Sequence, residues 1–291
     1  MKRAAFILMT ILAVPCGLAA QTPVDERREA AADGVVEIEN IAGSVKVMGW
    51  NEAAVQVTGT LASGAELEFE SSGKRTTIEV EVEGHNPMEA ASDLEVRVPA
   101  GSRLEIEGVR LDVEVSGVTG SVEVETVEGG ITQAGAAKEV SLQSVMGTVD
   151  VTGATGHIQA ETVNGTVTIR ESSGQLEAST VNGELVVSDG PFERVALESV
   201  AGEIRFEADL TAQARLDIET VSGSVELFVS PGIKAEFALS SFSGGLENDL
   251  GIGTVEQESL VPAKELNFST GAGGARISVE TLSGNVHIRK R

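Results

Sequence analysis

The stretches IQAETVNGTVTI, Ile158 to Ile169, and LEASTVNGELVV, Leu176 to Val187, are two copies of one pattern: apolar-x-apolar-x-x-apolar-x-Gly-x-apolar-x-apolar. It recurs in VEIENIAGSVKV from Val36, VSLQSVMGTVDV from Val140, VALESVAGEIRF from Val195, LDIETVSGSVEL from Leu216 and ISVETLSGNVHI from Ile277. The glycines Gly129, Gly147, Gly165, Gly183, Gly202, Gly223 and Gly244 return every ~18 to 21 residues, a period that marks a repeat architecture. A longer gap precedes Gly284, and LEIEGVRLDVEV from Leu104 carries Leu111 in the glycine's place.

Within each repeat the alternation is period two, which argues strands rather than helices. In the copy at Ile158, the side chains of Ile158, Ala160, Val163, Val167 and Ile169 are expected to face one way, with Gln159, Glu161, Thr166 and Thr168 facing the other. Asn164-Gly165, Asn182-Gly183 and Ser222-Gly223 suit tight corners that need positive φ. A meander of hairpins would leave one wide apolar face uncovered, for no helix-period segment is available as a lid. Winding the sheet on itself buries that face and stacks equivalent residues into columns. The expected fold is therefore all-β: a single-stranded parallel β-solenoid of roughly ten coils, about 18 to 21 residues each and some 45 to 50 Å long at the usual strand spacing. With one Trp, no Tyr and eight Phe, its core must be aliphatic.

Two polar columns follow from this register. Thr126, Ser144, Thr162, Thr180, Ser199, Thr220, Ser241 and Thr281 precede the turn residue and are read as a structural hydroxyl ladder on the outside. One place earlier stand Glu125, Gln143, Glu161, Ser179, Glu198, Glu219, Ser240 and Glu280. Replacing every second Glu between Glu125 and Glu198 relieves repulsion between stacked carboxylates. Glu198 and Glu219 fall on neighbouring coils and are the candidates for a weak Ca²⁺ site, although hard cations want six or more oxygens.

The N-terminus reads as an export signal: Lys2 and Arg3, an apolar run from Ala4 to Val14, then small residues to Ala20. Pro15 before Cys16 is a poor match to a lipidation site, so Cys16 is expected to leave with the signal, giving a cysteine-free chain in the periplasm, at the cell surface or outside. The formal net charge of −24, lower still without Lys2 and Arg3, excludes nucleic acid as a partner. Nothing beyond the signal is apolar for long enough to span a membrane. The expected organisation is a signal at 1–20, a flexible polar segment at 21–33, and irregular coils with an N-terminal cap at 34–100. Residues 101–291 are expected to form the regular solenoid, with an insertion at 246–275. In that solenoid Arg289, Lys290 and Arg291 would blunt an open edge.

Catalytic signatures are absent. His85, His157 and His287 lack metal-site spacing, and there is no nucleophile elbow, phosphate loop or dinucleotide fingerprint. The run Gly271 to Gly274 precedes a strand and reads as a corner, and Trp50 reads as packing. No cofactor is called for.

Taken together, VEIENIAGSVKVMGWNEAAVQV (Val36 to Val57), LEVRVPAGSRLEIEGV (Leu94 to Val109), the TVNG and TVSG coils and GAGGARISVETLSGNVHI (Gly271 to Ile288) resemble a family of bacterial extracytoplasmic β-strand-repeat domains of adhesin type. The family is a domain of unknown function. The resemblance implies a β-solenoid, an envelope or surface location and an adhesive or scaffolding role, and it supplies no active-site residues. The resulting expectation is a non-enzymatic binding or scaffold module whose partner is an envelope or extracellular protein or glycan. A carbohydrate-active β-helix enzyme and a self-associating structural element are the alternatives.

Overall fold

The computed structural model describes residues 21–82, 91–257 and 262–291. The export signal, Cys16, His85 and most of the expected loop from Gly84 to Ser92 lie outside the described residues. Among those residues every regular element is a strand, and the strands join one 23-stranded sheet. The long runs of β-branched residues with alternating burial explain why: Ser121–Glu128 and Glu139–Met146 each bury every second side chain through their first six residues.

The sheet is solenoid-like, built as two columns joined at corners. In the first column, 103–107, 121–126, 139–144, 157–162, 175–180 and 194–199 stack in parallel, so that Val122, Val140, Ile158, Leu176 and Val195 stand in register. In the second, Ile131, Val149, Val167, Leu185 and Ile204 do the same. Both apolar columns are buried and merge with Val118, Ala137 and Ala154 into one core that is mostly aliphatic but, against expectation, also holds Phe192 and Phe206 fully buried.

The expectation of purely parallel stacking fails at both ends, and the sheet is mixed. At the N-terminal end Thr22–Glu29 lies antiparallel on Ala54–Leu61, which lies antiparallel on Ser92–Pro99, and Ala65–Ser72 is antiparallel to Arg75–Val82. Residues 21–33, expected to be flexible, thus carry a paired edge strand. Its polarity suits an edge: Arg27 pairs with Glu52, and the guanidinium of Arg28 lies 4.9 Å over Phe69.

At the other end the stacking order departs from the chain order. Ala275–Thr281 and Val286–Lys290 sit between the coil of 215–229 and the coil of 235–248, pairing in parallel with both. Lys264–Ser269 then caps Ala235–Ser241 antiparallel. Val286 to Ile288 is therefore internal, while Arg289 and Lys290, expected with Arg291 to protect an open edge, pair with Phe228 and Val229 on one side only. Arg289 pairs with Glu226 at 3.0 Å, and Arg291 bridges to Asp189 and Asp209 at 3.1 and 3.2 Å.

The glycine column also needs a different explanation from the one its sequence suggests. Gly147, Gly165, Gly183, Gly202 and Gly223 do not have positive φ. What they need is space: a Cβ on Gly183 would lie 1.7 Å from the carbonyl oxygen of Gly165, the glycine of the preceding coil. The irregular coil obeys the same constraint with its side chains exchanged. Gly108 takes the hydroxyl position, and the buried Leu111 fills the space, with atoms 2.6 and 2.7 Å from where a Cβ on residue 108 would sit.

Candidate functional site

Strict alternation persists to the end of each first-column strand, which decides what the corner shows to solvent. Residues 157–162 pair without a break on both sides, so Ile158, Ala160 and Thr162 point inward together and Val163 points out. The expected orientation of the turn is thus reversed: the hydroxyl ladder is buried, and the apolar residue before each glycine is exposed. Burial is tolerable because each coil offers a partner at the right height. Thr162 Oγ1 donates to the carbonyl of Gly147 at 3.1 Å, Ser144 Oγ to Gly129 at 3.2 Å and Ser241 Oγ to Gly284 at 3.0 Å. Farther along, the amide N–H of Gly223 donates to Thr220 Oγ1 at 3.0 Å. Ser199 Oγ is the member of this ladder left without a partner.

The consequence is an exposed ridge. In stacking order, Val127, Val145, Val163, Val181, Val200, Val221, Leu282 and Phe242 project from successive coils, with exposures from 38% at Val163 and Val181 to 54% at Leu282. Eight rungs at the usual strand spacing make an apolar ladder about 34 Å long. Scattered single apolar residues on a surface need no explanation, but a continuous file of them does.

Two residues back along each strand, on the same side, runs the acidic column. Ladder and column bound a groove of about 1100 Å³ that extends from Gly108 to Phe242 and ends against Ala263 and Glu265. The register places Glu125, Glu161, Glu198 and Glu280 on every second rung, with Gln143, Ser179 and Glu219 between them. Glu198 and Glu219 are adjacent, as their spacing suggests, and Glu280 follows directly. All three are exposed. Among the described residues, the carboxylates that gather within 4.8 Å of one another as a trio are instead Glu68, Glu79 and Glu81, on the N-terminal hairpin.

Elsewhere on the surface, carboxylates meet cations across neighbouring rungs. Arg205 contacts Glu207 at 2.8 Å and Glu226 at 3.1 Å and lies 4.3 Å over Phe228. The hydrogen bond to Glu207 raises the pKa of Arg205 above the usual arginine range, opposed by partial desolvation and helped by the charge of Glu226. Among the described residues no ion pair neutralises Glu161, Glu198, Glu219 or Glu280. The groove is thus a rail of carboxylates without ion-pair partners beside a rail of exposed apolar side chains.

The other residues considered from sequence do not join it. Trp50 donates its indole N–H to the carbonyl of Ala54 at 2.8 Å and lies between Arg27 and Arg97, a packing role. His287 contacts Asp249 at 2.9 Å on the second column. Gly271 to Gly274 form the corner before Ala275–Thr281, where a Cβ on Gly274 would lie 1.9 Å from the carbonyl oxygen of Lys234.

The described residues thus form a mixed, repeat-built sheet that carries a long amphipathic groove. The chain belongs to the Toastrack DUF4097 family, whose model matches residues 35–289. Among solved structures it is similar to a "putative adhesin" from Bacteroides fragilis, at 10% identity and a TM-score of 0.46 over 94% of this chain and 100% of that one. It is also similar to a "putative lipid binding protein" from Parabacteroides distasonis, at 13% identity and a TM-score of 0.45 over 92% and 96% of the two chains. No curated protein matches the chain significantly. No helix among the described residues is long and apolar enough to cross a membrane.

Proposed function

We propose that this protein is an exported, non-enzymatic binding module of the bacterial envelope, adhesin-like in action, and that its contact surface is the groove between the valine ladder and the acidic column. Its stack is read as a solenoid of about ten coils, a rigid rod on which equivalent side chains repeat at the strand spacing. The observation that carries the reading is the file of exposed apolar residues from Val127 to Phe242. A soluble surface under no demand to bind would carry polar residues there, as the neighbouring positions do.

The test is retention on cell envelopes of the bacterium that produces the protein. A variant with Val145→Ser, Val163→Ser and Val181→Ser keeps the buried columns intact and is expected to lose most of the retention shown by the native chain. Equal retention of both, with unchanged melting temperatures, would remove the groove from the function.

A further inference from the structure

We infer that the groove takes an extended, basic peptide segment in the polyproline II conformation, with a cationic side chain at every third residue. The inference rests on the reading of the groove as the binding surface and names the chemistry of its occupant.

Charge decides the class. The rail formed by Glu161, Glu198, Glu219 and Glu280 has no ion-pair partner among the described residues, and its carboxylates line one groove beside the apolar ladder. A cationic partner is complementary to it, and the parallel valine ladder calls for apolar or uncharged groups on the same ligand. A second copy of this chain is a poor occupant, because face-to-face docking would oppose two acidic rails on molecules that each carry a formal charge of −24.

Spacing decides the conformation. The groove runs across the strands, so its repeat is the inter-strand distance, about 4.8 Å, and carboxylates on every second rung recur at about 9.6 Å. A polyproline II segment rises about 3.1 Å per residue with three residues per turn, so side chains on one edge recur at about 9.3 Å. The two repeats agree to a few tenths of an ångström, which keeps a segment of four turns in register with Glu125, Glu161, Glu198 and Glu280. An extended β-strand repeats its side chains at about 6.7 Å and an α-helix advances about 5.4 Å per turn, and neither stays in phase with two rungs. In the polyproline II form the residue after each cation turns toward the ladder once every two rungs, near Val145, Val181 and Val221, and the third faces water. The conformation has no internal hydrogen bonds and is already populated in the unbound chain, so little ordering opposes its docking.

The experiment uses the protein purified after export and a fluorescent peptide of about twelve residues built from Lys-Pro-Ala triplets, read by anisotropy at about 20 mM salt, where screening is weak. The expected result is saturable binding that weakens about tenfold in Glu125→Gln/Glu161→Gln/Glu198→Gln and about fivefold in Val163→Ser/Val181→Ser, with both variants melting like the native chain. A peptide of the same composition with its lysines grouped at one end is expected to bind several-fold more weakly. Equal affinity for the two peptides would overturn the inference, since charge alone would then explain the binding. So would preference for a glucosamine oligomer over the triplet peptide, which would make the partner a cationic glycan. If the peptide fails to bind while the valine variants still lose envelope retention, the occupant is wrong and the groove reading survives. If retention is unaffected as well, both fall.

Discussion

Between residues 121 and 207 every coil rests on the coil that preceded it in the chain, whereas beyond residue 229 the order of stacking and the order of sequence separate. In the middle, Val140 finds Val122 and then Ile158, one repeat away on each side. At the C-terminal end, Leu216 finds Ile277, and Ile277 in turn finds Phe237, from a coil made earlier in the chain. The central coils can therefore be laid down one after another, each on a finished template. The coil of 235–248 can be seated only after the last strands have entered the gap beneath it. Loop closure over that distance has to precede the contacts that reward it.

The largest predicted effect tests that difference directly. Deleting residues 271–291 removes the buried side chains of Ile277, Val279, Val286 and Ile288 from between the coils of 215–229 and 235–248. At ~1.5 to 3 kcal/mol for each large aliphatic side chain, the loss is about 6 to 12 kcal/mol, comparable to the whole stability of a typical domain. The truncated protein is expected to be open to protease from residue 204 onward, and a synthetic peptide of residues 271–291 is expected to restore protection by filling the strand-wide gap. Deleting Thr22–Glu29, an edge strand with mostly exposed side chains, should leave the same protection pattern intact. Equal damage from both deletions would mean that the end coils do not differ in the way described.

A smaller effect separates glycines by the reason they are present. Gly183→Ala places a methyl group 1.7 Å from a backbone oxygen of the preceding coil, an obstacle that moves only if the coils part, and about 3 kcal/mol or more of destabilisation is expected. Gly232→Ala meets no atom within 4 Å but must hold φ near 79°, which costs about 1 to 2 kcal/mol. Chemical denaturation of the two variants compares close approach with backbone conformation as the reason for conserving space at a corner.

The irregular coil offers a finer comparison with its regular neighbours. Gly108→Ser should destabilise by about 2 kcal/mol or more, since Leu111 and the carbonyl oxygen of Asn40 both occupy its space, and Leu111→Gly should cost about 3 kcal/mol or more through the cavity it leaves. In the double variant one of the two obstacles is gone and the regular hydroxyl-and-glycine pattern is restored, so the losses should fall short of additive by about 1 kcal/mol. Additive losses would show that Gly108 and Leu111 are not exchanged partners.

The repeats were legible in the sequence because each carries its own period-two signal and its own glycine. From Ile158 and Leu176 alone, parallel stacking, the aliphatic core and the adjacency of Glu198 and Glu219 follow. Reversal of stacking order at the C-terminus was not legible, since the copy at Ile277 is as regular as the others and nothing in it records which neighbours it will meet. The groove was missed for a more instructive reason. Hydrophobicity assigned Val163 to the interior, when strict alternation from Ile158 through Ala160 already placed Thr162 there. Counting residues would have found the exposed ladder. What counting could not supply is the glycine carbonyl of the preceding coil, which makes the buried hydroxyl acceptable.

That carbonyl allows the ladder to be compared with itself. Thr162→Val keeps shape and volume but leaves the Gly147 carbonyl without the bond it receives at 3.1 Å, and about 1 kcal/mol of destabilisation is expected. Ser199→Ala removes a buried hydroxyl that has no partner, so it should be neutral or slightly stabilising. Both positions lie in the same column, at 4% exposure each, so burial is matched and the difference between the two shifts in denaturation midpoint is dominated by the hydrogen bond. Equal shifts would mean that the ladder is held by packing of its methyl and methylene groups, and the burial of its hydroxyls would then be a consequence of strand register rather than a contribution to stability.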